Sequence, residues 1–196
     1  NQIGAIVGSQ PFGGEGLSGT GPKAGGPLYL DRFRHHAAPE ADLAAQVATS
    51  DAAALETRLR RAAATGPVTR HELPGPTGEA NQYTTRPRLP VLCLGPGDSA
   101  AAEQARRITE FGGVAVESGG TREAETLATL DGFSGVVWWG DAGTARALRC
   151  SLAKRPGPIL PLITGDPDKG HAVAERHVCI DTTAAGGNAA LLAGEG

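Results

Sequence analysis

Methionine is absent from all 196 residues. A chain without even an initiator Met reads as a fragment or a processed product. Aromatic residues are scarce, at 4%, so any core has to be assembled largely from Val, Leu, Ile and Ala. The three cysteines, Cys93, Cys150 and Cys179, are widely spaced and form no CxxC. That argues against a disulfide framework and a structural zinc site, and it fits a reducing cytoplasm. Each thiol falls in an expected strand or helix and reads as buried and inert. No run of about 18 apolar residues is present, so no transmembrane helix is expected. No basic segment precedes an apolar one at the start, so no signal peptide is expected. A basic excess is missing as well: the net charge of −3 offers no footprint for nucleic acid. The short basic run Arg58, Arg60, Arg61 reads as a solvated helix face. His35 and His36 have no carboxylate or Cys at ligand spacing, so they read as a surface pair and no metal site is expected.

What the chain has in quantity is glycine, 29 residues, and the densest run lies near its start. "IVGSQPFGGEGLSGTGPKAGG" spans Ile6 to Gly26. Glycine costs a helix about 1 kcal/mol per residue relative to alanine. The region from Asn1 to Leu30, with short apolar pieces at Ile3–Val7 and Pro27–Leu30, therefore reads either as ordered loop with short strands or as disordered. Exposed backbone N–H groups in such turns can hold a carboxylate or phosphate, because no side chain blocks approach. Phe12 can add an apolar wall for an aliphatic ligand. The plain structural reading is a loop that covers another domain.

The next region, from His35 to Ala64, is alanine-rich and helical. Asp42 and Asp51 are plausible N-caps, and Leu55, Leu59 and Ala62 form one apolar stripe that Gly66-Pro67 ends. Leu73 to Pro90 carries four prolines and two glycines besides polar residues, and reads as a linker at a boundary. From Val91 a regular alternation begins. Strands are expected at Val91–Gly95, Gly113–Ser118, Phe133–Gly140, Pro158–Thr164 and Arg176–Asp181. Helices are expected at Asp98–Gly112, capped by Asp98, at Thr121–Leu130, and at Asp141–Arg155. Ala101, Ala105 and Ile108 mark the buried face of the first, and Ala145, Leu148 and Leu152 that of the last. Such βαβ alternation means an α/β fold with a mostly parallel sheet and flanking helices.

Three features invite a functional reading. "GPGDSA" (Gly95–Ala100) lies between a strand and a helix, where a dinucleotide fold puts its phosphate turn, and Glu117 stands at ribose-binding spacing. The third glycine of GxGxxG is replaced by Ala100, so a structural turn is the stronger reading. Trp138 and Trp139 are expected on opposite faces of their strand, as packing residues. "TTAAGGNAALL" (Thr182–Leu192) combines small residues with leucines that need burial, which suits a tail that docks.

The motifs then meet a family. "NQIGAIVGSQPFGGEGLSGTGPKAGGPLYLDRF" resembles the last part of the aldehyde dehydrogenase module of bifunctional proline utilization A proteins. "LPGPTGEANQY", "VLCLGPG" and the terminal "DTTAAGGNAALL" resemble the C-terminal domain and end motif of its long members. The resemblance implies five parts. Residues 1–34 end the dehydrogenase module, 35–72 form a helical connection and 73–90 a linker. Residues 91–181 form a non-catalytic Rossmann-like domain of aldehyde-dehydrogenase type, and 182–196 a docking tail.

It also implies roles. Backbone amides at Gly4 and Ala5 anchor the substrate carboxylate, Phe12 packs on its aliphatic part, and Ser18, Gly19 and Thr20 shape the loop. The implied substrate is L-glutamate γ-semialdehyde, which is also Δ1-pyrroline-5-carboxylate. A cysteine attacks the aldehyde, hydride leaves to NAD, and water releases glutamate. A proline dehydrogenase with FAD lies upstream, and the intermediate passes internally between the sites. In the family the nucleophilic cysteine, the water-activating glutamate and the NAD-binding residues all precede this segment. No catalytic or cofactor-binding residue is therefore expected here, and the chain alone is expected to be inactive. Its implied partner is the rest of the parent polypeptide, with room for a homo-oligomer. Two other readings stay open: a free-standing Rossmann-like binding or interaction module, and a nucleotide-binding regulator that uses Gly95–Ala100.

Overall fold

Period-two alternation of apolar residues builds the centre of the molecule, and both phases of the alternation are buried. The structure is a computed structural model that describes residues 5–19, 21–34, 36–39, 51–62, 66–118 and 124–181. Four short strands, β3 (Val91–Cys93), β4 (Ala115–Glu117), β5 (Gly135–Val137) and β6 (Leu162–Ile163), form a parallel sheet in the order β4-β3-β5-β6. Leu92, Leu94, Val136 and Trp138 share one core with Leu55, Leu59, Leu148 and Leu152. Val91, Cys93, Val137 and Trp139 share the other with Ala101, Ile108, Ala172 and Val173. A sheet buried on both faces needs apolar residues in both phases, as parallel sheets do. Trp138 and Trp139 thus go to opposite faces. Each indole N–H is satisfied, by the carbonyls of Asp141 at 3.2 Å and Gly165 at 2.9 Å.

The helices supply the outer layers. α1 (Ala52–Ala62) and α3 (Ala142–Leu152) bury Leu55 and Leu59, and Leu148 and Leu152, against one face. α2 (Gly97–Glu110) and the single turn α4 (Lys169–Ala172) cover the other. Asp51 and Asp141 accept bonds from the first-turn amides of Ala53 and Thr144, as caps should. Asp42 lies outside the described residues.

Five local readings of the sequence are corrected here. The stretch read as linker holds a nine-residue strand, β2 (Glu79–Pro87). It pairs antiparallel with β1 (Thr69–Leu73) on one side and β7 (Val173–Asp181) on the other. Pro74, Pro76, Pro87 and Pro90 flank its centre, and Tyr83, Thr84 and Thr85 supply the strand preference that this punctuation hides. The last strand is accordingly β7 of this antiparallel ribbon, and it adds nothing to the parallel sheet.

Asp98 does not cap α2. Pro96 occupies the N-cap position without a side-chain bond, because Gly95 and Gly97, at φ 96° and 70°, carry the turn one step earlier. Between β4 and β5 the described residues hold only a 3₁₀ turn, Ala124–Ala128. Arg155 donates to the carbonyls of Leu127 and Leu130, so these are satisfied by a guanidinium and not by further helical amides. Finally, no strand forms within the described part of the glycine-rich segment, where the only β pairing is the isolated bridge Phe12–Ala24.

Candidate functional site

The glycine-rich segment has a defined path. Phe12 and Ala24 exchange two backbone hydrogen bonds, at 3.1 and 2.8 Å, and close a loop between them. Ser18 and Gly19 hold a single 3₁₀ turn within that loop. The Ser18 hydroxyl donates to the Glu15 carbonyl at 3.3 Å, and the Gly19 amide donates to Gly16 at 3.2 Å. A Cβ at Gly14 would lie 2.2 Å from Ser18 Oγ, so the glycine there is a steric requirement of the turn. Gly4 and Thr20 lie outside the described residues. Ala5 is exposed, and Phe12 leaves 73% of its surface bare.

The loop is laced to the antiparallel ribbon. Glu175, on β7 and only 4% exposed, accepts a bond from the Lys23 amide at 2.8 Å and another from the Tyr83 hydroxyl at 2.6 Å. The Lys23 ammonium turns back to the Gly13 carbonyl at 2.8 Å. Gln10 donates to Glu79 on β2 at 2.9 Å. Burial, then the bond to Glu175 and its charge, push the Tyr83 phenol well above its ordinary range, so it stays a donor. Burial lowers the affinity of Arg88 for its proton, while Glu15, Glu175 and Asp168 oppose that shift. Asp168 caps α4: burial pushes its carboxyl up, but the bonds and charge of His171 hold it below the usual range. An open cleft of about 990 Å³ runs beside the loop, lined among others by Lys23, Arg32, Arg88, Phe133 and Glu175.

The second candidate, Gly95–Ala100, sits at the C-terminal end of β3, where open α/β sheets bind ligands. Its interior is already filled. Gln104, fully buried, accepts from the Gly95 amide at 3.0 Å and donates to the Gly95 carbonyl at 2.7 Å. The Trp139 amide also donates to that carbonyl, at 2.9 Å. Asp98 places a negative charge in the first turn of α2. Glu117 ends the neighbouring strand and is exposed, and its carbonyl is taken by Arg58 at 2.8 Å. An amide already bonded to Gln104 and a carboxylate at the helix start do not fit a pyrophosphate.

The cysteines divide. Cys93 is buried, and burial, aided by the charge of Glu117, pushes its thiol up to about 12. Cys150 and Cys179 are exposed, contrary to the sequence reading. Cys150 lies on α3 between the buried Leu148 and Leu152, and Cys179 lies on β7 opposite Asn81 of β2. Two of the three thiols should therefore react quickly with an aromatic disulfide reagent in the native chain, and Cys93 only after denaturant is added. Equal rates for all three would refute this assignment. His36 is no surface residue either: it is half-buried, its Nε2 lies 3.2 Å from the Asp31 carbonyl, and its own carbonyl accepts from the Asp166 amide. His35 lies outside the described residues. Among the described residues no group of three His, Cys, Asp or Glu side chains could hold a metal ion.

Sequence reasoning missed Glu175, Tyr83, Gln104 and the role of the Lys23 amide. A signal was there for Glu175 and Tyr83: each holds an inward position of an alternating strand, where a carboxylate and a phenol need partners.

Fold and site together define an α/β domain that carries a laced glycine-rich loop, with protein filling the crevice of its own sheet. No family model matches the chain. It is 34% identical over 242 residues to the bifunctional protein PutA of Salmonella typhimurium, and 36% identical over 233 residues to that of Rhizobium meliloti. Each match takes in 98% of this chain but only 18% and 19% of the relative. A solved proline utilization A structure from Corynebacterium freiburgense covers 90% of the chain and 19% of its own, at 22% identity and a TM-score of 0.46. The chain belongs to the bifunctional proline utilization A family, as a C-terminal segment that spans under a fifth of the length of the curated relatives it matches.

Proposed function

We propose that the chain supplies two parts of a longer enzyme that oxidises proline to glutamate. The first is the loop that anchors L-glutamate γ-semialdehyde in an NAD-dependent aldehyde dehydrogenase site. The second is a non-catalytic domain that lids the passage between that site and an upstream, FAD-containing proline dehydrogenase. One observation supports this above others: the loop is held in a single path by backbone and side-chain bonds, yet its one aromatic ring is left bare. A ring held in place and uncovered is ready to pack on an aliphatic chain.

In this reading the amides of Gly4 and Ala5 orient the substrate carboxylate and Phe12 covers its methylenes. Ser18, Gly19 and Thr20 keep the loop's shape. The nucleophile, the water-activating base and the NAD-binding residues come from the preceding part of the parent. The filled crevice at Gly95 supports a domain kept for shape and not for binding nucleotide. The tail, 182–196, seats the lid. The enzyme works in the cytoplasm.

The test uses the parent reading frame. The full-length protein should form NADH from proline in the presence of an electron acceptor for the flavin. The 196-residue chain alone should form none from the semialdehyde, and calorimetry should detect no saturable NAD binding at micromolar concentrations. A start codon just upstream of Asn1, or micromolar NAD binding by the chain, would sink the proposal.

A further inference from the structure

Two carboxylates are buried among the described residues, Asp168 and Glu175. A buried carboxylate is costly unless its oxygens are bonded. Asp168 is accounted for by the cap of α4. Glu175 caps nothing. It sits near the start of β7, 152 residues from Lys23, and reaches across to the loop.

Its geometry continues beyond that one bond. Tyr83 on β2, diagonal to Glu175 across the ribbon, donates to Oε1, which leaves Oε2 aimed at the Lys23 amide. The next residue, Ala24, carries both bonds of the bridge to Phe12. Lys23 Nζ closes the other side of that bridge at the Gly13 carbonyl. A Cβ on Gly26 would lie 3.2 Å from Glu175 Oε1 and 3.0 Å from the Pro11 Cβ, so there is little space between carboxyl and loop. Every step from β7 to the exposed ring is therefore a short, directed contact.

We infer that Glu175 is a positioning residue for substrate: by fixing the Lys23 backbone it sets the Phe12 ring for the aliphatic part of the semialdehyde. The control comes from a strand that follows the parallel sheet in sequence, so the C-terminal domain sets the substrate loop directly as well as lidding it. This inference rests on the function proposed above for Phe12.

The test is Glu175→Gln in the full-length parent, with Tyr83→Phe beside it. The carboxamide keeps the size of the side chain but replaces the charged acceptor at Lys23 N by a weaker neutral one, and its NH₂ can meet Tyr83 only with the hydroxyl turned round to accept. KM for the semialdehyde should rise about 10-fold with kcat within about 2-fold, while kcat/KM for propanal, which has no carboxylate and a short chain, stays within about 2-fold. Amide hydrogen exchange should accelerate at Lys23, Ala24 and Phe12 and stay unchanged in β3 and β5. Tyr83→Phe keeps the Lys23 bond and should raise KM by about 2-fold to 3-fold. An unchanged KM, an equal loss for both aldehydes, or unchanged exchange in the loop overturns the inference. If Glu175→Gln does not fold, Tyr83→Phe decides by the same measures, and no change in KM overturns it. If the unaltered parent oxidises no semialdehyde, the proposed function fails. The exchange of Lys23 and Phe12 then decides alone whether Glu175 fixes the loop.

Discussion

Replacing Trp138 by alanine lowers the unfolding free energy of the chain by about 3–5 kcal/mol, seen as a lower midpoint in guanidinium. The ring is 2% exposed and belongs to the core made with Leu92, Val136 and Leu148. Its neighbours cannot close the gap easily. Gly140 packs its backbone against the indole so closely that a Cβ there would stand 2.2 Å from the ring, and a rigid turn follows at the Asp141 cap. With aromatics at 4% of the chain, a large share of the volume on this face is one side chain. A domain has a margin of roughly 5–15 kcal/mol, so the loss is a large fraction of it. Trp138→Phe keeps most of the volume and loses the bond to the Asp141 carbonyl, so it should cost less. A midpoint shift for Trp138→Ala no larger than for an exposed substitution would show that this face is not closely packed.

Replacing Phe12 by alanine in the full-length parent cuts kcat/KM for the semialdehyde by about 10- to 100-fold. Burying a phenyl ring contributes about 1.5–3 kcal/mol, and each 1.4 kcal/mol is a factor of ten. The stability of the chain should barely change, because 73% of the ring is exposed and its backbone bonds to Ala24 do not depend on the side chain. That separation makes the variant informative. Loss of activity with an unchanged melting midpoint assigns the ring to substrate. Unchanged kinetics would remove Phe12 from the site, and a fall in both would make it a structural residue of the parent's interior.

Legibility in the sequence followed the range of the interaction involved. The stripe Leu55, Leu59, Ala62 and the face Ala145, Leu148, Leu152 were readable because helical burial repeats within a few residues. The parallel sheet was readable because strands and helices alternate in order. β2 was not, because its prolines and glycines look like linker until β1 and β7 are placed on either side. The exposure of Cys150 and Cys179 depends on what packs beside them, which residue type does not reveal. Of the candidate site, glycine density marked the loop, and the family resemblance implied the role of Phe12 in it.

By itself, then, the sequence determined the α/β class, both buried faces of the parallel sheet, the cap at Asp51, and the place of the glycine-rich loop. Each rests on a local period or a local turn. Only the tertiary structure decided that β7 leaves the parallel sheet for the ribbon, that Gln104 fills the crevice at Gly95, and that Glu175 holds Lys23. The physical reason is common to all three. A buried polar group must find its partner in space, and its partner's position in the chain is set by how the elements pack, which no local pattern encodes.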